Sequence, residues 1–193
     1  MHEDPLFEPC QHAAVLDADR PGTGLDRLQL PLKKRMQDQL YQELLAKLSG
    51  NFSAMHDKPE ETVEATLHAL WHAAAGTPRS AVLATTTPFR ELDASGAQTL
   101  RSLVDRRLAG TPLAHITGRQ HFMGLELLAG PEALIPRKET EILGNAALGL
   151  LREIVKARGN AVVIDVCCGS GNLALAFASH ERAARVQAAD ISP

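Results

Sequence analysis

The chain has 193 residues, 45% of them hydrophobic, enough to bury one large core or two small ones in a globular protein of ordinary composition. Its 20 Lys and Arg stand against 23 Asp and Glu, and the net charge of −3 argues against the general positive field of a nucleic-acid-binding surface. The mainly apolar runs of the chain, such as Ala161–Val166, are far shorter than the roughly 20 residues that a membrane-spanning helix needs.

The amino terminus and the cysteines indicate the compartment. Residues 1–9 contain three acids and lack the basic start and apolar stretch of a secretory signal. The three cysteines, two of them adjacent, cannot form a disulfide framework of the secreted kind, and there is no CxxC pair to indicate zinc. We therefore expect a cytoplasmic protein.

The sequence predicts that the first part of the chain is a loose N-terminal segment followed by helices. Residues 1–30 mix Pro, Gly and charge without helical or strand periodicity, which predicts a loose arm. Apolar residues at helical spacing then predict a helix over residues 31–48. A second predicted helix starts near Pro59, where Glu60 and Glu61 favour the positive end of the helix dipole.

A third helix is marked at both ends. Ser95 and Gln98 have the spacing of a capping box, and Gly110 follows the last apolar position. Residues 31–110 are therefore predicted to form a small helical domain. In residues 111–135, short apolar runs separated by glycines predict a β-hairpin linker.

The last part of the chain alternates helix and strand. A nearly unbroken apolar stripe predicts a helix over residues 140–158, and Ala161–Val166 is a β-branched run typical of a buried strand. A helix over residues 173–178 and a strand over residues 185–189 complete a βαβ unit. We predict an α/β protein in which residues 136–193 are the beginning of a Rossmann-like domain.

A glycine-containing loop, DVCCGSG, lies between the first predicted strand and the next helix, where ligands meet the carboxyl ends of parallel strands. Gly169 and Gly171 let the backbone turn sharply and approach a ligand, and the N–H groups that open the helix face its polar parts. Asp190 follows the second strand, where a carboxylate can accept hydrogen bonds from both hydroxyls of a ribose. This pattern predicts a nucleotide-like cofactor.

Two cofactors remain possible from the residues alone. The run from Gly169 to Ala174 satisfies the dinucleotide pattern G-x-G-x-x-G/A, which is typical of NAD-dependent oxidoreductases. Asp165, however, stands four residues before the first glycine, and its carboxylate would repel a pyrophosphate. That carboxylate suits the ammonium group of S-adenosylmethionine, so the residues favour the methyl donor.

Four stretches together resemble a known family. Residues 107–118, 122–124 and 134–141, followed by the Asp165 loop, resemble in order and spacing the HemK/PrmC family of release factor glutamine methyltransferases. The resemblance is close from about residue 100 onward, and the preceding helices loosely match the family's small helical domain, which engages the protein substrate. It implies a class I S-adenosylmethionine-dependent methyltransferase domain after the helical one.

The resemblance also implies a reaction, a partner and a cofactor site. A methyl group would pass from S-adenosylmethionine to the side-chain amide of a glutamine in a peptide chain release factor. The resemblance implies that the protein meets nucleic acid only in the context of the ribosome, and it implies no membrane partner. The residues implied to bind the cofactor are Asp165, Cys167, Cys168, Gly169, Ser170, Gly171 and Asp190, with Leu134, Pro136 and Arg137 bordering the pocket.

The family's catalytic element is an Asn-Pro-Pro-Tyr motif that grips the glutamine amide, and residues 1–193 do not contain it. An amide nitrogen is a poor nucleophile, so positioning and hydrogen bonding carry the reaction. We therefore expect no catalytic residue in this chain and no turnover by it alone. The alternative from another class is a noncatalytic module, derived from the family, that binds a translation factor.

Some positions depart from the family or resemble other sites. Lys138 stands where the family usually has proline, His115 where it has tyrosine, and the adjacent cysteines where Gly-Thr is common. A Cβ at Cys167 is unexpected where the backbone needs freedom. His68 and His72 are one helical turn apart, but the general-base Glu of a zinc protease is missing, so we expect no metal.

Overall fold

The computed structural model describes residues 32–51 and 58–191, so the arm predicted at residues 1–30 lies outside the described residues. The chain divides into two compact units, Met1–Met36 and Gln37–Pro193, and only the start of the first helix is described in the first unit. In chain order the elements are α1 (Leu32–Asn51), α2 (Val63–Ala74), α3 (Ala81–Ala84), α4 (Ala94–Leu108), α5 (Leu113–Thr117), β1 (Arg119–Phe122), β2 (Leu125–Leu128), α6 (Lys138–Arg158), β3 (Ala161–Val166), α7 (Asn172–His180) and β4 (Ala184–Ala189).

The three long helices predicted in the first half are confirmed as α1, α2 and α4. Their apolar stripes meet in one core, and burying each leucine stabilises the fold by about 1.5–3 kcal/mol relative to exposure. The residues at the centre of this core are Leu44, Leu48, Leu67, Leu70, Leu100 and Val104. Helices α3 and α5 are not predicted, because four or five residues are too few to show a period.

The start of α2 differs from the prediction. The helix begins four residues after Pro59, because Thr62 is its N-cap and the Thr62 Oγ1 atom accepts the backbone N–H three residues on, at 3.1 Å. Glu60 and Glu61 therefore lie before the helix. They form ion pairs with residues distant in sequence instead of interacting with the helix dipole.

The predicted capping box of the third helix is wrong. The N-cap of α4 is Asp93, whose Oδ1 accepts a hydrogen bond from the N–H of Gly96 at 2.7 Å. Ser95 lies inside the first turn and Gln98 one turn on. Asp and Ser are both strong N-cap residues, and it is Asp93 that has the extended backbone of an N-cap, with φ of −82° and ψ of −177°.

The predicted β-hairpin is confirmed. β1 and β2 pair antiparallel, with Phe122 opposite Leu125 next to a two-residue turn. Both turn residues, Met123 and Gly124, have positive φ, at 47° and 81°, as tight hairpin turns that match the strand twist require. Phe122 and Met123 are buried in a second core cluster, together with residues of the sheet and helices that follow.

The βαβ unit is also confirmed. β3 and β4 pair parallel, in register from Ala161 opposite Ala184 to Val166 opposite Ala189, and α7 connects them. Helices α6 and α7 contribute Leu148, Leu151, Ala176 and Phe177 to the second core cluster on one face of this pair. The protein thus combines helices with small sheets, consistent with the α/β class.

The opposite face of β3 is open among the described residues. Val162, Ile164 and Val166 alternate along the strand and are 63%, 63% and 68% exposed. Within residues 32–51 and 58–191, β3 and β4 pair only with each other. In the same residues no helix has both the length and the hydropathy needed to cross a bilayer.

Candidate functional site

The loop that connects β3 to α7 turns through left-handed backbone. Cys167, Gly169 and Gly171 have φ values of 60°, 55° and 76°. The N–H of Gly171 donates to the carbonyl of Cys168 at 2.9 Å, which closes the turn. Two of the three left-handed positions are glycine, as the pattern predicts, but Cys167 adopts this conformation with a Cβ at a cost of about 1–2 kcal/mol.

The end of β4 holds this loop by two hydrogen bonds. The N–H of Gly169 donates to Asp190 Oδ2 at 2.7 Å, and the N–H of Cys168 donates to the Ala189 carbonyl at 3.1 Å. Asp190 is an exposed residue. The loop and the acid that the sequence pairs across 21 positions are therefore in direct contact.

Asp165 is occupied with the start of α7. Its Oδ2 accepts the N–H of Ala174, in the first turn of the helix, at 3.2 Å. The helix has Gly171 as its N-cap, with no side chain to satisfy an N–H, and the strand carboxylate supplies that acceptor. Asp165 thus stabilises the helix start that faces the candidate ligand site.

A polar chain that the sequence did not indicate connects the hairpin with the glycine loop. Gln120, buried on β1, donates from Nε2 to Asn172 Oδ1 at 2.9 Å, and Asn172 donates from Nδ2 to Ser170 Oγ at 2.9 Å. Gln120 and Asn172 are 52 positions apart, so no local pattern could have paired them. These two hydrogen bonds fix the position of Ser170 relative to the hairpin.

The segment before α6 lies partly beside the loop. Leu134 is 81% exposed and lines a small cleft with Ser170 and Gln120. Pro136 is buried and Arg137 is exposed, and neither is among the residues that line this cleft. Of the three positions implied to border the cofactor, the structure therefore brings Leu134 to the glycine loop.

The histidines of α2 contact neighbouring oxygen atoms, and the cysteines of the glycine loop form no disulfide. His68 Nε2 lies 3.1 Å from the hydroxyl of Tyr41, and the buried His72 places Nε2 3.2 Å from the Thr87 carbonyl. Cys167 and Cys168 are both free thiols. Within the part of the chain that the structure describes, no three His, Cys, Asp or Glu side chains are grouped to hold a metal ion.

Comparison with known proteins identifies relatives of part of the chain. Residues 43–118 match the family model described as the PrmC N-terminal domain. The release factor glutamine methyltransferase of Moorella thermoacetica is 40% identical over 103 residues, 53% of this chain and 35% of that protein. The proteins of the same name from Chlamydia trachomatis serovar L2 and Streptomyces coelicolor are 44% identical over 82 residues and 41% identical over 92 residues.

These matches cover a limited part of each protein. The Chlamydia alignment includes 42% of this chain and 27% of the relative, and the Streptomyces alignment includes 47% and 31%. The matched part thus spans about a third of the length of the curated relatives. Over that part, the resemblance that the sequence motifs indicate is confirmed.

Proposed function

We propose that this chain, with its PrmC N-terminal domain at residues 43–118, serves the transfer of a methyl group from S-adenosylmethionine to a glutamine side-chain amide of a peptide chain release factor. The observation that carries the proposal is the contact between Gly169 and Asp190 at the carboxyl ends of two parallel strands. Methyl-donor chemistry and the protein substrate are suggested by the names of the relatives and by the motifs.

The glycine loop fits a nucleoside-type ligand. A Cβ built on Gly169 or Gly171 would meet nothing within 4 Å, so the backbone borders open space that a ligand can enter. Asp190 Oδ2 already accepts one N–H, but a carboxylate offers about four lone-pair sites and can accept ribose hydroxyls as well. Bound there, S-adenosylmethionine would supply an activated methyl group on its sulfonium.

The remaining cofactor residues have supporting roles in this proposal. Ser170, held by Asn172, and Cys168 would line the ligand, with Leu134 across the cleft. Asp165 would act mainly through the α7 start, because one of its oxygens is used by Ala174. Pro136 and Arg137 precede α6 and do not line the cleft, so in this proposal they would border the site less directly, and the backbone of Cys167 would shape the loop.

We further propose that different segments of the chain have different functions. Residues 31–110 would form the helical domain that engages the release factor, residues 111–135 the hairpin linker, and residues 136–193 the beginning of a Rossmann-like class I methyltransferase domain. The two separate core clusters support this division. Because Phe122 and Met123 belong to the second cluster, the hairpin packs with the donor-binding part.

Calorimetric titration of the 193-residue protein with S-adenosylhomocysteine, and separately with NAD⁺, tests the cofactor. We expect S-adenosylhomocysteine to bind and NAD⁺ not to bind. The pattern running from Gly169 to Ala174 is the observation that favours the dinucleotide, and binding of NAD⁺ alone would replace the methyltransferase proposal with an oxidoreductase.

A second assay separates an enzyme from a binding module. Because residues 1–193 lack the Asn-Pro-Pro-Tyr motif, we expect this chain to bind a release factor without transferring a radioactive methyl group to it. Methyl transfer by the 193-residue chain would contradict that expectation. Release-factor binding without any binding of S-adenosylhomocysteine would favour the noncatalytic module.

A further inference from the structure

Two charged residues before α2 contact the segment that precedes α6. Lys58 Nζ donates a hydrogen bond to the Pro136 carbonyl at 2.7 Å, and Glu60 Oε2 lies 3.6 Å from Lys138 Nζ. These contacts lie on either side of Arg137 in the chain. We call Lys58 and Glu60 together the clasp, since they hold the backbone before Arg137 and the side chain after it.

The clasp is anchored to the helical core. Glu61, the next residue, forms an ion pair with Arg107 of α4, with Oε2 and the guanidinium nitrogen 2.9 Å apart. The two side chains are only 13% and 4% exposed, so solvent screens this pair little. Lys58 and Glu60 therefore extend from a firmly held stretch of backbone.

Lys138, which the clasp contacts through Glu60, is in turn connected to the hairpin. Lys138 Nζ also lies 3.1 Å from Glu141 Oε2, and Glu141 Oε1 accepts the N–H of Met123 in the hairpin turn at 3.2 Å. Burial acts to lower the pKa of Lys138, but the carboxylates of Glu141 and Glu60 outweigh it and hold the pKa above its ordinary value. Lys138 thus remains charged between the two acids.

We propose that Lys58 is a positioning residue for the cofactor site. By holding the Pro136 carbonyl, it sets the position of Leu134, two residues earlier, which lines the cleft with Ser170 of the glycine loop. Residues packed with the helical core would in this way influence how tightly the donor site closes on its ligand. The inference rests on the proposed function, because it assumes that the ligand occupies this cleft.

The test compares the affinity for S-adenosylhomocysteine of four proteins, the wild type, Lys58→Met, Lys58→Arg and Lys47→Met. We expect Lys58→Met to weaken binding roughly 5- to 10-fold, in the range of coupling between separate sites. Lys58→Arg keeps a donor and should restore most of the affinity. Lys47 pairs with Asp105 on the surface of α4, so Lys47→Met is a matched control and should bind like the wild type.

A second variant and a second measurement keep the outcomes distinct. Glu60→Gln removes the charge opposite Lys138 and should weaken binding in the same direction as Lys58→Met. If the wild type binds S-adenosylhomocysteine and Lys58→Met binds it equally well, Lys58 does not position the site.

If the wild type itself does not bind S-adenosylhomocysteine, the proposed function fails. Amide hydrogen exchange of residues 134–141 then tests whether Lys58 still positions this segment. Faster exchange there in Lys58→Met than in Lys47→Met would retain the positioning of this segment by Lys58. Equal exchange in the two variants would overturn it.

Discussion

The carboxylate of Asp190 accepts the backbone N–H of Gly169 at 2.7 Å, so the acid after β4 holds the loop after β3. One residue therefore has two separable roles, one in loop structure and one in the proposed ribose binding. A substitution that keeps the acceptor but removes the charge separates them.

Asp190→Asn retains an oxygen for the Gly169 N–H, so the loop keeps this hydrogen bond in an uncharged form and the unfolding temperature should fall only slightly. It loses the charged acceptor for hydroxyls, and since hydrogen bonds to charged groups contribute about 1.5–3 kcal/mol, affinity for S-adenosylhomocysteine should fall roughly tenfold or more. Titration calorimetry measures this, with Asp105→Asn on α4 as control. Unchanged affinity in Asp190→Asn would exclude the ribose role.

The left-handed backbone of Cys167, with φ of 60°, predicts that Cys167→Gly is stabilising. Removing the Cβ relieves about 1–2 kcal/mol, and the larger entropy of unfolded glycine offsets about 0.5–1 kcal/mol. The free energy of unfolding in urea should rise by about 0.5–1 kcal/mol. Cys168, which does not have a positive φ, is the matched control, and Cys168→Gly should lower it by about the same amount.

The ion pair of Glu61 with Arg107 predicts a large loss of stability on truncation. Glu61→Ala leaves the buried guanidinium without this carboxylate and should lower the free energy of unfolding by about 3 kcal/mol. Glu43 pairs with Arg101 at the surface, with side chains 52% and 40% exposed, so Glu43→Ala should lower the free energy of unfolding far less than Glu61→Ala. If chemical denaturation shows the same loss of unfolding free energy for Glu61→Ala and Glu43→Ala, burial of the Glu61 pair does not add to stability.

The lowered pKa of His68 on α2 predicts that the fold loses stability in acid. Burial lowers the pKa of His68 below its ordinary value of 6.5. The backbone of Ala84 and the carboxylate of Glu64 partly oppose this shift, and His72 adds to it. Tyr41 lies against the same ring, and burial followed by Glu64 raises the pKa of that hydroxyl. His68 is thus favoured in its neutral form in the folded state.

A histidine with a lowered folded-state pKa binds fewer protons when folded than when unfolded. Its contribution to stability is complete above pH 6.5 and is lost as the pH falls through the folded-state value. The unfolding free energy should therefore decrease as the pH falls below 6.5. His68→Gln should show a shallower dependence over the same range, and a slope equal to that of the wild type would assign the effect to other groups.

Local sequence patterns predicted the helices and strands that have a long apolar period or a clear residue signal at their ends. The stripe of α6 and the β-branched run of β3 are each explained by one period, and Gly159 ends α6 at a φ of 81°. Caps were less predictable. Asp93 and Ser95 are both suitable N-caps, and α2 begins at Val63 because Thr62, not Pro59, meets the helix N–H groups.

The sequence by itself determined the glycine loop, the position of Asp190 and the parallel strands on which both lie, because strand, turn and helix signals act over a few neighbouring residues. Only the tertiary structure decided that Asp165 caps α7, that Gln120 reaches Asn172, and that Lys58 holds Pro136. The last two contacts join side chains and backbone 52 and 78 positions apart. Such pairs form only when packing brings distant elements together, so no local periodicity encodes them.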